Sequence, residues 1–182
     1  MQKSLVIGAL TGAILFATAA GAANQAAKPT DPQIAHIAYT ADLLGIEAGK
    51  QALNKSKNKD VRAFAQQMVG DHTMVNDQAL ALVKKLKVKP EDNPTSQSLT
   101  KQADATRKKL AGLSGAAFDK AYIDNEVAYH RTVNTALSDT LIPNAQNPEL
   151  KALLQSGLGV FQAHQKHAEE LASQLQSASA TQ

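Results

Sequence analysis

The segment from Val61 to Leu86 carries an unbroken seam of Val61, Ala65, Met68, His72, Val75, Ala79, Leu82 and Leu86, separated by steps of 4, 3, 4, 3, 4, 3 and 4. Alternating steps of four and three keep one side of an α-helix turned toward neighbouring helices along its whole length. A chain that holds such a helix must supply partners for the stripe. Ile34, Ile37, Ala41, Leu44 and Ala48 form a second stripe. Phe118, Tyr122, Glu126, His130, Val133 and Leu137, spaced 4, 4, 4, 3 and 4, form a third. Leu150, Leu153, Gly157, Val160, His164, Ala168, Leu171 and Leu175 form a fourth, less strict one. No stretch alternates apolar and polar residues as a half-buried strand does. The prediction is an all-α four-helix bundle.

Proline, glycine and asparagine set the bounds. Asp31 before Pro32 predicts the first helix, running to about Asn54. The second covers about Asp60 to Lys87. Pro90 and Asp92–Pro94 make a clear break before a short amphipathic piece, about Ser96 to Leu110. Gly112, Ser114 and Gly115 precede a long helix over about Ala116 to Leu141, stopped by Pro143. Asn147 and Pro148 open the last, which reaches about Leu175. The first and second helices, and the third and fourth long ones, are joined by short breaks, so each pair is antiparallel. The connection between the pairs is long and carries its own short helix. It has the length to travel the bundle and start the third long helix parallel to the second, the one-crossover arrangement of ferritin-like folds. A simple up-and-down bundle with a decorated loop is the alternative.

Residues 1–22 stand apart. Lys3 precedes an apolar run, and Ala20 and Ala22 are placed for cleavage before Ala23. The run falls short of the roughly 20 apolar residues of a spanning helix, so a cleaved signal peptide is predicted in preference to a retained anchor. Residues 31–176 make the bundle, and 177–182 a disordered tail. The chain has no cysteine, which excludes disulfides, thiolate metal sites and lipid attachment through cysteine. The net charge is +3. The lysines cluster at Lys55–Lys59 and Lys84–Lys89, near helix ends, where cations complement the helix dipole. A nucleic-acid role is not indicated. A solvated surface with at most weak envelope contact is.

The chemistry lies in the stripes. His72, His130 and His164 occupy apolar positions on three different helices, each near its helix midpoint, so packing brings them to one level. Glu126 lies one turn from His130 on the same face. Glu47, beside the first stripe, sits roughly 6 Å off that level and is the weaker candidate. Imidazole and carboxylate side chains converging from several helices suit one divalent transition metal: zinc, copper, iron or manganese. The competing reading is a satisfied polar network in the core. His167 and His36 are expected at the stripe edge or in solvent, Asp71 at the surface, and Met68 in the core. A noncovalent haem on Met68 and His72 is the remaining alternative. Nothing resembles a nucleophile elbow or a phosphate loop.

The segments GIEAGKQAL, VRAFAQQMVGDHTMVNDQALALV, FDKAYIDNEVAYHRTV and FQAHQKHAEEL resemble a bacterial family of exported ferritin-like proteins of unknown function, often labelled predicted outer membrane proteins. The resemblance spans about Asp31 to Leu175 and is most specific in MVGDH (68–72) and YIDNEVAYH (122–130). It implies a ferritin-like bundle and an exported, periplasmic or outer-membrane-associated location, and no established activity. Glu47, His72, Glu126, His130 and His164 all stand in the matching segments. Val69 and Phe161 stand three residues before His72 and His164, where a di-iron bundle carries glutamate. Ferroxidase chemistry is therefore not expected. Two readings follow: a protein holding a single metal, or a non-catalytic envelope interaction or stress protein with a structural polar core. An enzyme with a reduced metal centre ranks last.

Overall fold

Most of the long helices begin where a polar side chain can accept their first free N–H groups. In the computed structural model, which describes residues 28–180, α1 (Asp31–Lys55) is capped by Thr30. The Thr30 hydroxyl accepts from the Gln33 N–H and the Gln33 side chain accepts from the Thr30 N–H. The cap thus falls one residue before the Asp31 expected from sequence. Asp31 instead accepts the N–H groups of Gln146 and Asn147, both at 2.8 Å, and fastens the start of α1 to the last loop. Asn58 caps α2 (Lys59–Leu86), and Asn93 caps α3 (Pro94–Ala111), which starts two residues earlier than predicted.

The next helix, α4 (Gly115–Ala136), does not stop at its proline. It widens into a π-helical turn over Leu137–Leu141, where the Ile142 N–H donates to the Leu137 carbonyl, and ends in a single turn, Ile142–Asn144. Proline has no N–H to give and crowds the preceding turn. The wider ladder lets the chain stay helical through Pro143. Asn147 caps α5 (Pro148–Ala180) through bonds from the N–H groups of Glu149 and Leu150, at 2.9 and 3.1 Å. Residues 177–180, expected in the tail, continue the helix; these serines and alanines include no helix breaker. The expected signal segment and residues 181–182 lie outside the described residues.

The described residues form no strand, and none of their helices is long and apolar enough to cross a membrane. α1 lies along α2, α4 along α5, and α2 along α5. Two apolar clusters fix the directions. One holds Ile34 and Ile37 from the start of α1, Val75 from the second half of α2, Leu137 and Leu141 beyond α4, and Leu150 from the start of α5. The other holds Ala52, Phe64, Phe118, Tyr122 and Leu171, from the opposite ends of the same elements. α2 and α4 therefore run parallel. α3 carries the chain back between them, lying along α1 in the same sense: His36 meets Ser96 at one end and Lys55 donates to the Ala111 carbonyl at the other.

Small residues set how close α1 and α2 come. A methyl added at Gly49 meets Val69 Cγ2 at 2.8 Å and the Ala65 carbonyl oxygen at 3.0 Å, whereas one added at Gly70, exposed on α2, meets nothing within 4 Å. The two glycines make a matched pair. Gly70→Ala gains helix propensity unopposed and is expected to stabilise by about 1 kcal/mol. Gly49→Ala gains the same propensity but forces a packed backbone apart, for a net loss of about 1–2 kcal/mol. Urea unfolding midpoints check the pair, and stabilisation by both would contradict the close α1–α2 approach.

Candidate metal centre

Between the two apolar clusters lies a polar layer. His72 from α2, His130 from α4 and His164 from α5 are 2, 0 and 0 % exposed, and their ring centroids are 5.3 to 5.6 Å apart. One nitrogen of each ring lies within 4.8 Å of the other two. The helices place them here because each histidine falls on its helix's inward stripe near the middle of that helix.

The second nitrogen of each ring is anchored. His72 Nδ1 pairs with Asp42 Oδ1 at 2.8 Å, a buried carboxylate on α1. His130 Nδ1–H donates to the Glu126 backbone carbonyl one turn earlier, at 3.0 Å. His164 Nε2 pairs with Asp71 Oδ2 of α2 at 2.8 Å. Burial raises the Asp42 pKa, against the pull of its bond to His72. A carbonyl only accepts, so His130 carries its proton on Nδ1, and carboxylate oxygens that accept from His72 and His164 set those two rings in the same way. That leaves His72 Nε2, His130 Nε2 and His164 Nδ1 as bare acceptors, and these three buried atoms have no hydrogen-bond partner. Phe161 stacks on His72 with centroids 4.9 Å apart and planes at 18°. At Gly45 an added methyl would stand 2.8 Å from His72 Nε2. Glycine there leaves that nitrogen uncovered.

The two expected carboxylates behave differently. Glu126 is 1 % exposed, with Oε2 unpartnered and 3.7 Å from His130 Nδ1. It therefore stands behind His130, on the anchored side of the ring, and not in the group of converging nitrogens. Burial raises its pKa from 4.5 to about 8. Burial, with His72 close by, lowers that of His130 from 6.5 to about 3, and burial also lowers His164. Glu47 is not brought to the layer at all. It points outward from α1 and pairs with Arg107 of α3. Its place at the flank of the stripe put it on the face that docks the crossing helix.

Two acids were missed by sequence reading. Asp71 does point away from His72, as expected, but toward α5, where it holds His164. Asp42 lies on no stripe, and its one signal is that an aspartate between Ala41 and Leu43 in an apolar helical run is a poor helix former without a local use. His36 is half-buried against Ser96, at 3.0 Å. His167 reaches Gln67, at 3.1 Å, and lies edge-on to Phe64. Neither joins the layer. Met68 is wholly buried in the apolar cluster. His130, His164 and Phe161 crowd the His72 ring, which leaves no face for a porphyrin.

Three imidazoles converging from separate helices, each with its far nitrogen anchored, match the donor set of a transition-metal site. The alternative, three lone pairs buried together with no donor, costs about 1–3 kcal/mol for each unsatisfied atom. Metal–nitrogen bonds of about 2.0–2.1 Å need the rings to draw closer than the 4.8 Å bound.

The profile of the domain of unknown function DUF4142 matches residues 16–171. No curated protein matches the sequence. Two solved structures share the fold. A DUF305 protein from Streptomyces coelicolor, described as a candidate secreted protein, has a TM-score of 0.65 at 12% identity, over 79% of this chain and 91% of its own. A DUF305 fragment from Deinococcus radiodurans has a TM-score of 0.67 at 12% identity, over 81% and 99%. At such identity the likeness is one of fold.

The buried pair predicts an unusual pH profile for metal-free protein. Neutral His130 contributes stability that is present above pH 6.5 and lost as the pH falls toward 3. Protonated Glu126 contributes stability present below pH 4.5 and lost as the pH rises toward 8. The two effects oppose each other between 4.5 and 6.5. For this pair, stability measured by urea unfolding in the presence of a chelator should be greatest there and fall on both sides, by about 1.4 kcal/mol per pH unit from each group, and the lowered His164 adds to the fall on the acid side. Glu126→Gln should abolish the alkaline fall. An alkaline limb unchanged by that substitution would contradict the neutral Glu126.

Proposed function

The chain belongs to the DUF4142 family, a domain of unknown function, and from its site we propose that it is an exported, ferritin-like helical bundle that binds one divalent transition metal through His72, His130 and His164. The observation that carries the reading is the set of three buried, partnerless nitrogens, each on a ring whose other nitrogen is already held. A polar core network would instead satisfy its members against one another. The parallel run of α2 and α4 with a crossing helix supports the ferritin-like arrangement. Export rests on the signal-like sequence of residues 1–22 and on the secreted description of the Streptomyces neighbour.

An all-imidazole donor set suits zinc, copper or iron better than manganese, whose harder ion prefers oxygen. The bound ion would act as a Lewis acid at its open position. Asp42 and Asp71 would orient His72 and His164 and raise their basicity, and Glu126 would supply a buried proton-exchanging group behind His130.

Elemental analysis of purified protein equilibrated with each metal should give one ion per chain, and His130→Ala should abolish it. At a free metal concentration a thousand times Kd, binding should stabilise the fold by about 4 kcal/mol, read as a clear rise in Tm. Wild-type protein that takes up no metal under replete conditions would refute the proposal and leave a structural polar core. Gly45→Ala is expected to weaken metal binding at least tenfold with the helical circular dichroism intact, because its methyl crowds His72 Nε2. Asp71→Asn should weaken it about 10–100-fold. Unchanged affinity in both variants would displace the site from the position assigned.

A further inference from the structure

The apolar end of the bundle is not filled. A cavity of about 670 Å³ opens among α1, α2, α4, α5 and the start of α3. It exists because facing positions that could hold leucine hold Ala38 and Ala41 on α1, Ala79 on α2, Ala136 on α4 and Gly157 on α5. The π-helical turn contributes Leu137 and Leu141 to the same wall. Such turns recur at functional sites. The volume falls in the range of small-molecule sites, roughly 300–1,000 Å³. Apolar cavities of only about 150 Å³ take up apolar ligands such as benzene, and a void costs more as its volume grows.

The shape is directional. Asp42 and Phe161, which hold and stack on His72, form the inner end. Gln33, Asn144 and the exposed Lys28 lie at the mouth, at the end of the bundle. From Gln33 to Asp42 the helical rise of α1 gives a depth of roughly 13 Å. Among the described lining side chains Lys28 is the only cation and Asp42 the only acid. An occupant must therefore be elongated and aliphatic, with an apolar end toward Asp42 and Phe161 and its polar end, negatively charged, outward at Lys28.

We propose that this cavity binds a single-chain fatty acid, tail inward and carboxylate at the mouth beside Lys28. The proposal is independent of the metal. The bound tail would end against Asp42 and Phe161, the two groups that fix the His72 ring.

The test uses metal-free protein and a fluorescent fatty-acid analogue displaced by dodecanoate and hexadecanoate. Saturable 1:1 displacement is expected. Ala79→Phe and Ala136→Phe, which fill the cavity, should each weaken it at least tenfold while circular dichroism stays helical. No displacement from wild type, or equal displacement from both filled variants in their folded form, would overturn the proposal. Lys28→Glu removes any doubt over folding, since the side chain is exposed. It should weaken dodecanoate binding severalfold and leave dodecanol unchanged. Equal loss for both, or none for either, would overturn the placement of the carboxylate at Lys28.

Discussion

Three imidazoles buried at one depth, each able to use only one of its nitrogens for a neighbour, constrain the whole bundle. His130 is held by the carbonyl of its own helix, His72 by Asp42 across the α1–α2 contact, and His164 by Asp71 across the α2–α5 contact. These anchors tie α1, α2 and α5 together through polar bonds in a region where apolar packing is interrupted. A layer of this kind fixes the relative heights of α1, α2 and α5, because a shift of one turn would strand His72 and His164 without their partners. The apolar clusters on either side provide the driving force of burial, and the layer provides the register.

Close packing around the layer depends on what the neighbouring helices leave out. Gly45 leaves His72 Nε2 uncovered and Gly49 lets α1 approach the backbone of α2. One helix thus serves both functions within a single turn, and it contributes Asp42 one turn earlier. On its outer face the same helix carries Glu47 and Gln51, which bind Arg107 of α3 and its carbonyl. α1 is therefore read from two sides: inward by the histidine layer and outward by the crossing helix.

The two ends of the bundle differ in the way they are filled. Phe64, Phe118 and Tyr122 pack against one another at one end, with ring centroids near 6 Å. At the other, alanines and Gly157 face one another across the cavity below the π-helical turn. Aromatic rings fill space that helices at bundle spacing leave open, and alanine does not. The layer sits between a closed half and an open one, with Asp42 and Phe161 as the boundary on the open side.

Periodicity alone determined that the chain is helical, where its long helices lie, and that His72, Glu126, His130 and His164 turn inward. The spacing of side chains on a helix is fixed by local geometry, so the face is legible residue by residue. The helix midpoints likewise place the three histidines at one level. What tertiary structure decided is which groups meet them. Glu47 was a plausible donor by level and face, yet the crossing helix took it. Asp71, one residue from His72 and about 100° around its helix, serves a histidine on another helix instead. Asp42 became an anchor where α1 packs on α2, and Glu126 came to lie on the Nδ1 side of His130. Such choices depend on the rotation of one helix against the next and on side-chain torsions. Neither is encoded in the spacing along a single strand of sequence, and both are settled only when the helices pack.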